Sequence, residues 1–142
     1  KYPESTEITK GKGYQEFEMI DDVVRKLANQ YHAFLKITGR YKVINITDII
    51  DRQCQDLYID LRRKTKYANP SIFYSTFEFY LKNLKGLFKE VNDEKGNYIE
   101  AVLYKKLINI KNNGRISFFP ITPRMTGIMA STGIKIDKPK TG

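Results

Sequence analysis

The sequence predicts an α+β domain in which three helices precede an antiparallel β-hairpin. Three segments within the first 86 residues carry apolar side chains at helical spacing. Two later segments rich in apolar residues are separated by polar turns at 93–97 and at Asn113-Gly114, which is typical of hairpins. With 142 residues, 41% of them hydrophobic, the chain is long enough to bury one core.

The first helix is predicted over 19–38. Asp21 and Asp22 suit its start, because carboxylates are stabilised at the positive end of a helix dipole. Gly39 is a plausible stop. The helical stripe consists of Val24, Leu27, Tyr31, Phe34 and Leu35. The β-branched residues of Tyr41–Ile46 then predict a short strand.

The second and third helices are predicted over 48–65 and from Asn69-Pro70 to Gly86. Thr47 is a natural N-cap for the second helix. For the third helix, Asn69 is the predicted N-cap and Pro70 the first helical residue. The second helix is predicted to bury Ile50, Cys54, Leu57, Tyr58 and Leu61. The third is predicted to bury Phe73, Phe77, Tyr80, Leu81 and Leu84.

Strands are predicted for Leu87–Asn92, for Tyr98–Ile110 and for Arg115–Ile121. The domain organisation that follows is a flexible lead-in over 1–18, a folded domain over 19–121 and a basic flexible tail over 122–142. The lead-in is predicted from its glycines and polar residues, and the tail from its Thr, Gly and Lys content.

Positive charge is concentrated in the last quarter of the chain. The formal net charge is +9. Residues 105–142 hold eight Lys and Arg residues against Asp137 alone, so they carry +7 and the first 104 residues only +2. A one-sided excess of this kind attracts polyanions such as nucleic acid or an anionic surface, although a solubilising tail remains an alternative.

The predicted order of elements resembles that of winged-helix domains over about 19–110. The most specific part is Leu81–Phe88, where two leucines end the third helix and Gly86 reverses the chain before an apolar pair. Glu94–Tyr98 and Leu103–Lys105 complete the likeness to the wing. The reversal requires a positive φ at Gly86.

This resemblance implies that the third helix enters the major groove of DNA and that the wing contacts the backbone or the minor groove. The outward residues of that helix are then Ser71, Tyr74, Ser75, Glu78 and Lys82. They include one cation and one acid, which departs from the Arg, Lys, Asn and Gln expected for base and phosphate contacts. At the wing tip, Lys95 and Asn97 offset the two neighbouring acids, Asp93 and Glu94.

Two basic groups are better electrostatic candidates for phosphate contacts. The first lies before the third helix and consists of Arg62, Arg63, Lys64 and Lys66. The second lies along the predicted hairpin and consists of Lys105, Lys106, Lys111 and Arg115. The alternatives are a solvated helix end for the first group and an ordinary charged strand face for the second.

No enzymatic site, metal or cofactor is expected. One cysteine, Cys54, and one histidine, His32, provide neither an internal disulfide nor a zinc site. The aspartates at 48, 51, 56 and 60 are interpreted as helix-dipole partners and a solvated face rather than as a two-metal site. No apolar run approaches the length needed to cross a bilayer, and no signal peptide is recognised, so we expect no membrane partner and a cytoplasmic or nucleoid-associated protein.

The sequence therefore predicts a protein that binds double-stranded DNA without catalysis. A regulator, or an accessory factor in the replication or transfer of a plasmid or phage, is the expected role, with a homodimer on paired half-sites. The alternative is a protein-interaction module, for example an inhibitor that contacts a nucleic-acid enzyme, because the third helix is aromatic and weakly charged.

Overall fold

The computed structural model describes residues 8–39, 41–50, 55–110, 116–128 and 135–139. Within them the helices are α1 (Lys12–Leu27), α2 (Ile46–Ile50), α3 (Phe77–Asn83) and α4 (Ile99–Ile108). The strands are β1 (Ala33–Ile37), β2 (Tyr41–Val43), β3 (Leu57–Arg62), β4 (Tyr67–Thr76), β5 (Ile116–Ser117), β6 (Arg124–Ile128) and β7 (Lys135–Pro139). Short 3-10 helices lie at Ile8–Lys10, Leu87–Glu90 and Asp93–Lys95. The mixture of helices and sheet confirms the α+β class.

A four-stranded sheet in the order β1-β4-β3-β5 forms the centre of the molecule, and β2-β6-β7 form a second, antiparallel sheet. In the first sheet β4 pairs antiparallel with β1 and β3, and β5 pairs parallel with β3. Phe73 and Ile72 are neighbours on β4, so their side chains point to opposite faces. Phe73 belongs to the core beneath α1, α3 and α4, whereas Ile72 packs with Val43 and Met125 of the second sheet. The central sheet is thus covered on both faces.

The larger core is built from aromatic side chains that bridge α1, the sheet and α3. Phe17 of α1 stacks on Phe73 with ring centroids 6.0 Å apart, and Phe34 of β1 contacts Phe73, Phe77 and Tyr80 at 5.2 to 5.9 Å. Aromatic pairs at such distances contribute about 0.5–1.5 kcal/mol beyond the burial of their area. These contacts position α1 and α3 on one face of the sheet.

The start of α1 is fixed by two glycines that allow close approach. Gly11 has φ +101°, and a Cβ there would lie 2.0 Å from Oδ2 of Asp93. A Cβ on Gly13 would lie 2.6 Å from the Ile99 side chain at the start of α4. A carboxylate beside the first turn of a helix is favoured by the dipole. These glycines therefore belong to a packed helix start, and the prediction of a flexible lead-in is wrong from Lys12 onward.

One buried ion pair joins α1 to β1. The Lys36 ammonium lies 3.0 Å from Oε1 of Glu16, donates to Oγ1 of Thr38 at 2.9 Å and also donates to the Pro70 carbonyl. Its side chain is 8% exposed. Burial lowers the pKa of Lys36, while Glu16 opposes that shift. Three oxygen atoms accept hydrogen bonds from the ammonium and compensate for its burial. Lys36 therefore connects the end of β1 to α1 and β4.

Two hydrogen bonds to the Asp21 carboxylate connect α1 to the end of α3. The Tyr80 hydroxyl donates to Oδ1 of Asp21 at 2.5 Å, and the Gly86 amide donates to Oδ2 at 2.7 Å. Gly86 has φ +80°, as the sequence predicted. Asp21 lies within α1 rather than at a helix start, which corrects the role predicted for it. Burial, with the Asp21 carboxylate as second cause, raises the pKa of Tyr80 far above its ordinary value.

We expect Tyr80→Phe to weaken the pH dependence of stability above pH 10. A phenol whose pKa is raised by folding stays protonated in the folded state. In the unfolded state the same tyrosine ionises, because the ordinary pKa of a tyrosine is about 10. Stability is therefore complete below pH 10 and falls above it by about 1.4 kcal/mol per pH unit for one such group. Urea unfolding from pH 8 to 11.5 measures the slope. The control is Tyr31→Phe, at a tyrosine that is 60% exposed; equal slopes in both variants would contradict the assignment.

Several predicted elements are wrong, and the winged-helix arrangement is not confirmed. The first helix lies at 12–27 rather than 19–38. The region predicted as the second helix, 48–65, holds the end of α2 and then β3, and the region predicted as the third helix holds the end of β4 and then α3, so only the second half of that helix is confirmed. The predicted wing is absent from 87–110, where two 3-10 helices and α4 are found. Instead of a basic flexible tail throughout, 122–142 contains β6 and β7. The short strand at Tyr41 is confirmed, and Ile116–Ser117 is a strand as predicted, but it pairs parallel with β3.

Candidate nucleic-acid interface

The residues that could contact a polyanion lie mainly in a groove beside α4. The packing of α4 on the core determines which of its residues form one wall of this groove. Ile99, Leu103, Tyr104 and Leu107 are buried and recur at helical spacing, so one face of the helix lies on the core. The opposite face is exposed at Lys105 and Lys106. The amphipathic pattern thus fixes two adjacent cations on the solvent side of α4.

The other wall of the groove is the segment between α3 and α4. Lys89 lies on the 3-10 helix Leu87–Glu90, and Lys95 on the next one. Asn92 and Asn97 close the intervening turn through two backbone hydrogen bonds of 2.8 and 2.9 Å. Gly96 completes the turn with φ +78°. The turn therefore holds Lys95 and Asn97 on a defined backbone.

The groove has a volume of about 820 Å³ and a strong excess of positive charge. Within the part of the chain that the structure describes, its charged lining residues are five lysines and one acid: Lys10, Lys89, Lys95, Lys105, Lys106 and Glu90. Among the described residues, none of these lysines takes part in an ion pair. Three asparagines, at 92, 97 and 109, line the same groove. Such a surface can bind phosphates through unpaired ammonium groups and through amide donors.

The length of the wall that α4 provides suits a phosphate backbone. Lining residues extend from Ala101 to Asn109, a rise of about 12 Å at 1.5 Å per residue. One DNA strand carries a charge about every 3.4 Å along the helix axis, so this wall faces roughly three to four phosphates. The Asn109 side chain donates to the Lys105 carbonyl at 2.9 Å and so closes the end of α4.

The structure brings together four of the predicted contact residues and separates the others. Lys95, Asn97, Lys105 and Lys106 line the one groove. Arg62, Arg63, Lys64 and Lys66 are exposed at and beyond the end of β3, on the turn to β4. Lys111 and Arg115 lie outside the described residues.

The residues predicted to share the outward face of a recognition helix do not lie on one helix. Ser71, Tyr74 and Ser75 lie on β4, where Tyr74 is 9% and Ser75 0% exposed. Tyr74 packs against Tyr58 with ring centroids 5.6 Å apart, and burial raises its pKa. Lys82 is exposed, on α3. A major-groove face built from Ser71, Tyr74, Ser75 and Lys82 is therefore wrong.

Arg62 is held more firmly than its neighbours on the turn. Its guanidinium donates to Oδ2 of Asp60 at 2.9 Å and lies 5.7 Å from the ring centroid of Tyr67. Hydrogen bonding to Asp60 raises the pKa of Arg62. Arg63, Lys64 and Lys66 form no ion pair with any described residue. These three cations are free to contact an anion.

Sequence reasoning missed Lys10, Lys89, Asn92 and Asn109. The sequence places Lys10 in the predicted lead-in and Lys89 in a predicted strand. The available signal was the spacing of Ile99, Leu103 and Leu107, which predicts a helix with Lys105, Lys106 and Asn109 on its outer side.

Two classes of site receive no support from the described residues. No helix among them has both the length and the apolar character required to span a bilayer. Nor do three His, Cys, Asp or Glu side chains in this part of the chain lie close enough together to hold a metal ion. Comparisons of the chain with models of protein families, with curated proteins and with solved structures gave no match.

Proposed function

We propose that the chain binds double-stranded DNA through the lysine groove formed by α4 and the segment Leu87–Asn97. The observation that carries this proposal is the gathering of five lysines without ion pairs, from four separate elements of the described chain, around one groove. Surface lysines are usually interspersed with acids. Here a single glutamate accompanies them among the described lining residues, which therefore carry an excess of four positive charges.

The mode of binding follows from the kinds of residue present. Lysines contact phosphates as point charges, and asparagines donate hydrogen bonds to phosphate oxygens or to base edges. Among the described residues that line the groove there is no arginine to supply bidentate contacts to guanine. Binding through this surface is therefore governed by the backbone and depends weakly on sequence. Roles in regulation, in replication or in transfer of a mobile element, and dimerisation on DNA, stay predictions of the sequence.

The test is a titration of a duplex of 25 base pairs, labelled with a fluorophore, followed by anisotropy between 50 and 300 mM salt. Five phosphate contacts predict a slope of about −4.5 in a plot of log K against log salt concentration. A duplex of the same length and different sequence serves as the control, and we expect similar affinity for both. Absence of binding at 50 mM salt would refute the proposal.

A further inference from the structure

A second candidate site lies between α1 and the segment that follows α3. It is a pocket of about 400 Å³, within the range of about 300–1,000 Å³ that is usual for small-molecule sites. One wall is a face of α1 on which Gln15, Glu18, Asp22 and Arg25 recur at helical spacing. The opposite wall is formed by residues between 85 and 89.

Both walls are held in place by contacts within the protein. The Gly86 amide donates to Oδ2 of Asp21 at 2.7 Å, so the second wall is bonded directly to α1. A Cβ on Gly86 would meet no described atom within 4 Å, because the backbone there borders open space. The Phe88 ring meets the edge or face of the Tyr14 ring, with centroids 5.1 Å apart at 88°. A ligand therefore finds a preformed site and orders little of the chain on binding.

The pocket contains charges of both signs that do not neutralise each other. Its described charged residues are three acids and three bases: Glu18, Asp21, Asp22, Arg25, Lys85 and Lys89. Arg25 donates to Asp22 at 2.8 Å, and Asp21 accepts from Tyr80 and Gly86, so these groups have partners. The side chains of Glu18, Lys85 and Lys89 form no ion pair or hydrogen bond with any described residue. One carboxylate and two ammonium groups thus remain for a ligand.

Apolar surface lies between these charges. Met19 is 39% exposed, which makes it one of the large hydrophobic side chains that the described fold leaves at the surface. Phe88 is half-buried and lines the same pocket. A thioether adapts to irregular apolar shapes, and an aromatic ring offers a broad contact area. Together they suit an apolar group of the size of a leucine, methionine or phenylalanine side chain.

We propose that this pocket binds a free amino acid with a large apolar side chain. The carboxylate of the ligand lies between Lys85 and Lys89, its ammonium contacts Glu18, and its side chain covers Met19 and Phe88. Such a ligand carries both charges and is neutral overall, as is the described lining with its three acids and three bases. A simple carboxylate or a simple amine satisfies only one sign of charge, and a residue within a peptide satisfies neither.

The pocket and the lysine groove share Lys89, which lines both. An amino acid bound to this ammonium therefore competes with a phosphate, a consequence that rests on the proposed function of the groove. Loss of one of five phosphate contacts changes the salt slope from about −4.5 to about −3.6. If the two lines meet near 1 M salt, duplex affinity at 0.1 M falls by about eightfold. DNA weakens binding of the amino acid by the same factor, because linkage is reciprocal.

Isothermal titration calorimetry of the full chain tests the site without DNA. The ligands are L-phenylalanine and L-methionine, with 3-phenylpropionate, which lacks the ammonium, and 2-phenylethylamine, which lacks the carboxylate. We expect at least one of the amino acids to bind at millimolar concentration. Each analogue is expected to bind about tenfold more weakly than phenylalanine, since it loses hydrogen bonds between charged groups. Failure of both amino acids to bind, or equal affinity for phenylalanine and the two analogues, overturns the proposal.

Two variants locate the amino acid in the pocket. Glu18→Gln and Lys85→Gln are each expected to weaken its binding about tenfold. Lys82→Gln is the matched control, because Lys82 is an exposed lysine on α3 that does not line the pocket. Circular dichroism confirms that the variants fold. Equal affinity in Lys85→Gln and Lys82→Gln overturns the assignment of the site.

Duplex titration with and without saturating phenylalanine tests the regulation. Lys85 lines the pocket but not the groove, so Lys85→Gln is expected to keep duplex binding and to lose the effect of phenylalanine. Unchanged duplex affinity of the native chain in phenylalanine, or an equal loss in Lys85→Gln, contradicts competition at Lys89. Calorimetry contains no DNA, so a failure of the amino acid to bind and a failure of the lysine groove are separate results.

Discussion

Ser75→Lys is expected to lower the free energy of unfolding by about 3–5 kcal/mol, enough to unfold much of a domain of this size. Ser75 is 0% exposed at the centre of the four-stranded sheet, where it pairs with Phe34 of β1 and Leu57 of β3. Cross-strand partners share a face of the sheet, so a lysine at this position would extend among apolar residues of the larger core. An unpaired ammonium there loses its hydration without compensation.

Glu78→Lys provides the matched control for Ser75→Lys. Glu78 lies three residues further along, is exposed and belongs to the first turn of α3. We expect a change within about 0.5–1 kcal/mol, most of it from the helix dipole. Thermal and urea unfolding measure both variants. If residues 70–85 formed a recognition helix, both positions would face outward, and Ser75→Lys would leave stability unchanged and strengthen DNA binding. That result would contradict the sheet described here.

The sequence predicted the class of fold but misassigned segments in which aromatic and β-branched residues run together. Ile72, Phe73 and Tyr74 are three consecutive buried residues, a pattern that is typical of strands covered on both faces. Phe73 and Phe77 are also four residues apart, a spacing that equally predicts a helix. Asn69 resembled a helix N-cap, but its side chain accepts from the Ser71 amide inside β4. The true cap is Thr76, whose hydroxyl accepts from the Phe79 amide at 3.1 Å.

The prediction of the second helix over 48–65 was wrong in its second half because two periodicities of apolar residues overlap in this segment. Leu57, Ile59 and Leu61 alternate with Tyr58 and Asp60, which predicts a strand of period two. The wider spacing from Ile50 to Leu61 also satisfies a helix. The segment forms a strand, as the alternation of period two predicts, because β4 supplies a pairing partner for every one of these residues except Ile59. Pairing with a distant strand is tertiary information that the spacing of apolar residues does not contain.

The candidate interface was predicted in part, by charge rather than by fold. The excess of lysine after residue 104 directed attention to Lys105 and Lys106, which line the groove, although the segment is a helix and not a strand. Lys10 and Lys89 were missed because they lie 95 and 16 positions away from Lys105 along the chain, and only the fold brings them to the same groove. Their convergence depends on Gly11 and Gly13, which allow the start of α1 to approach Asp93 and Ile99 closely.

Removing three groove lysines is expected to have the largest effect on DNA binding. In the variant Lys95→Gln, Lys105→Gln, Lys106→Gln, two of the five groove lysines remain, so the salt slope should change from about −4.5 to about −1.8. If the two lines meet near 1 M salt, affinity at 0.1 M falls by about 500-fold. Glutamine is one atom shorter than lysine and has a similar helix propensity, and all three positions are exposed. Stability is therefore expected to stay nearly unchanged.

The matched control removes three exposed lysines outside the groove: Lys42→Gln, Lys82→Gln and Lys85→Gln. Both variants lose the same three charges from a net charge of +9, so a general electrostatic effect would lower affinity equally. Anisotropy of one labelled duplex with the native chain and both variants, at several salt concentrations, is the most direct test. A flattened salt dependence confined to the groove variant is the predicted result. Equal loss in both variants, or an unchanged slope in the groove variant, would contradict the assignment of the groove as the DNA-binding surface.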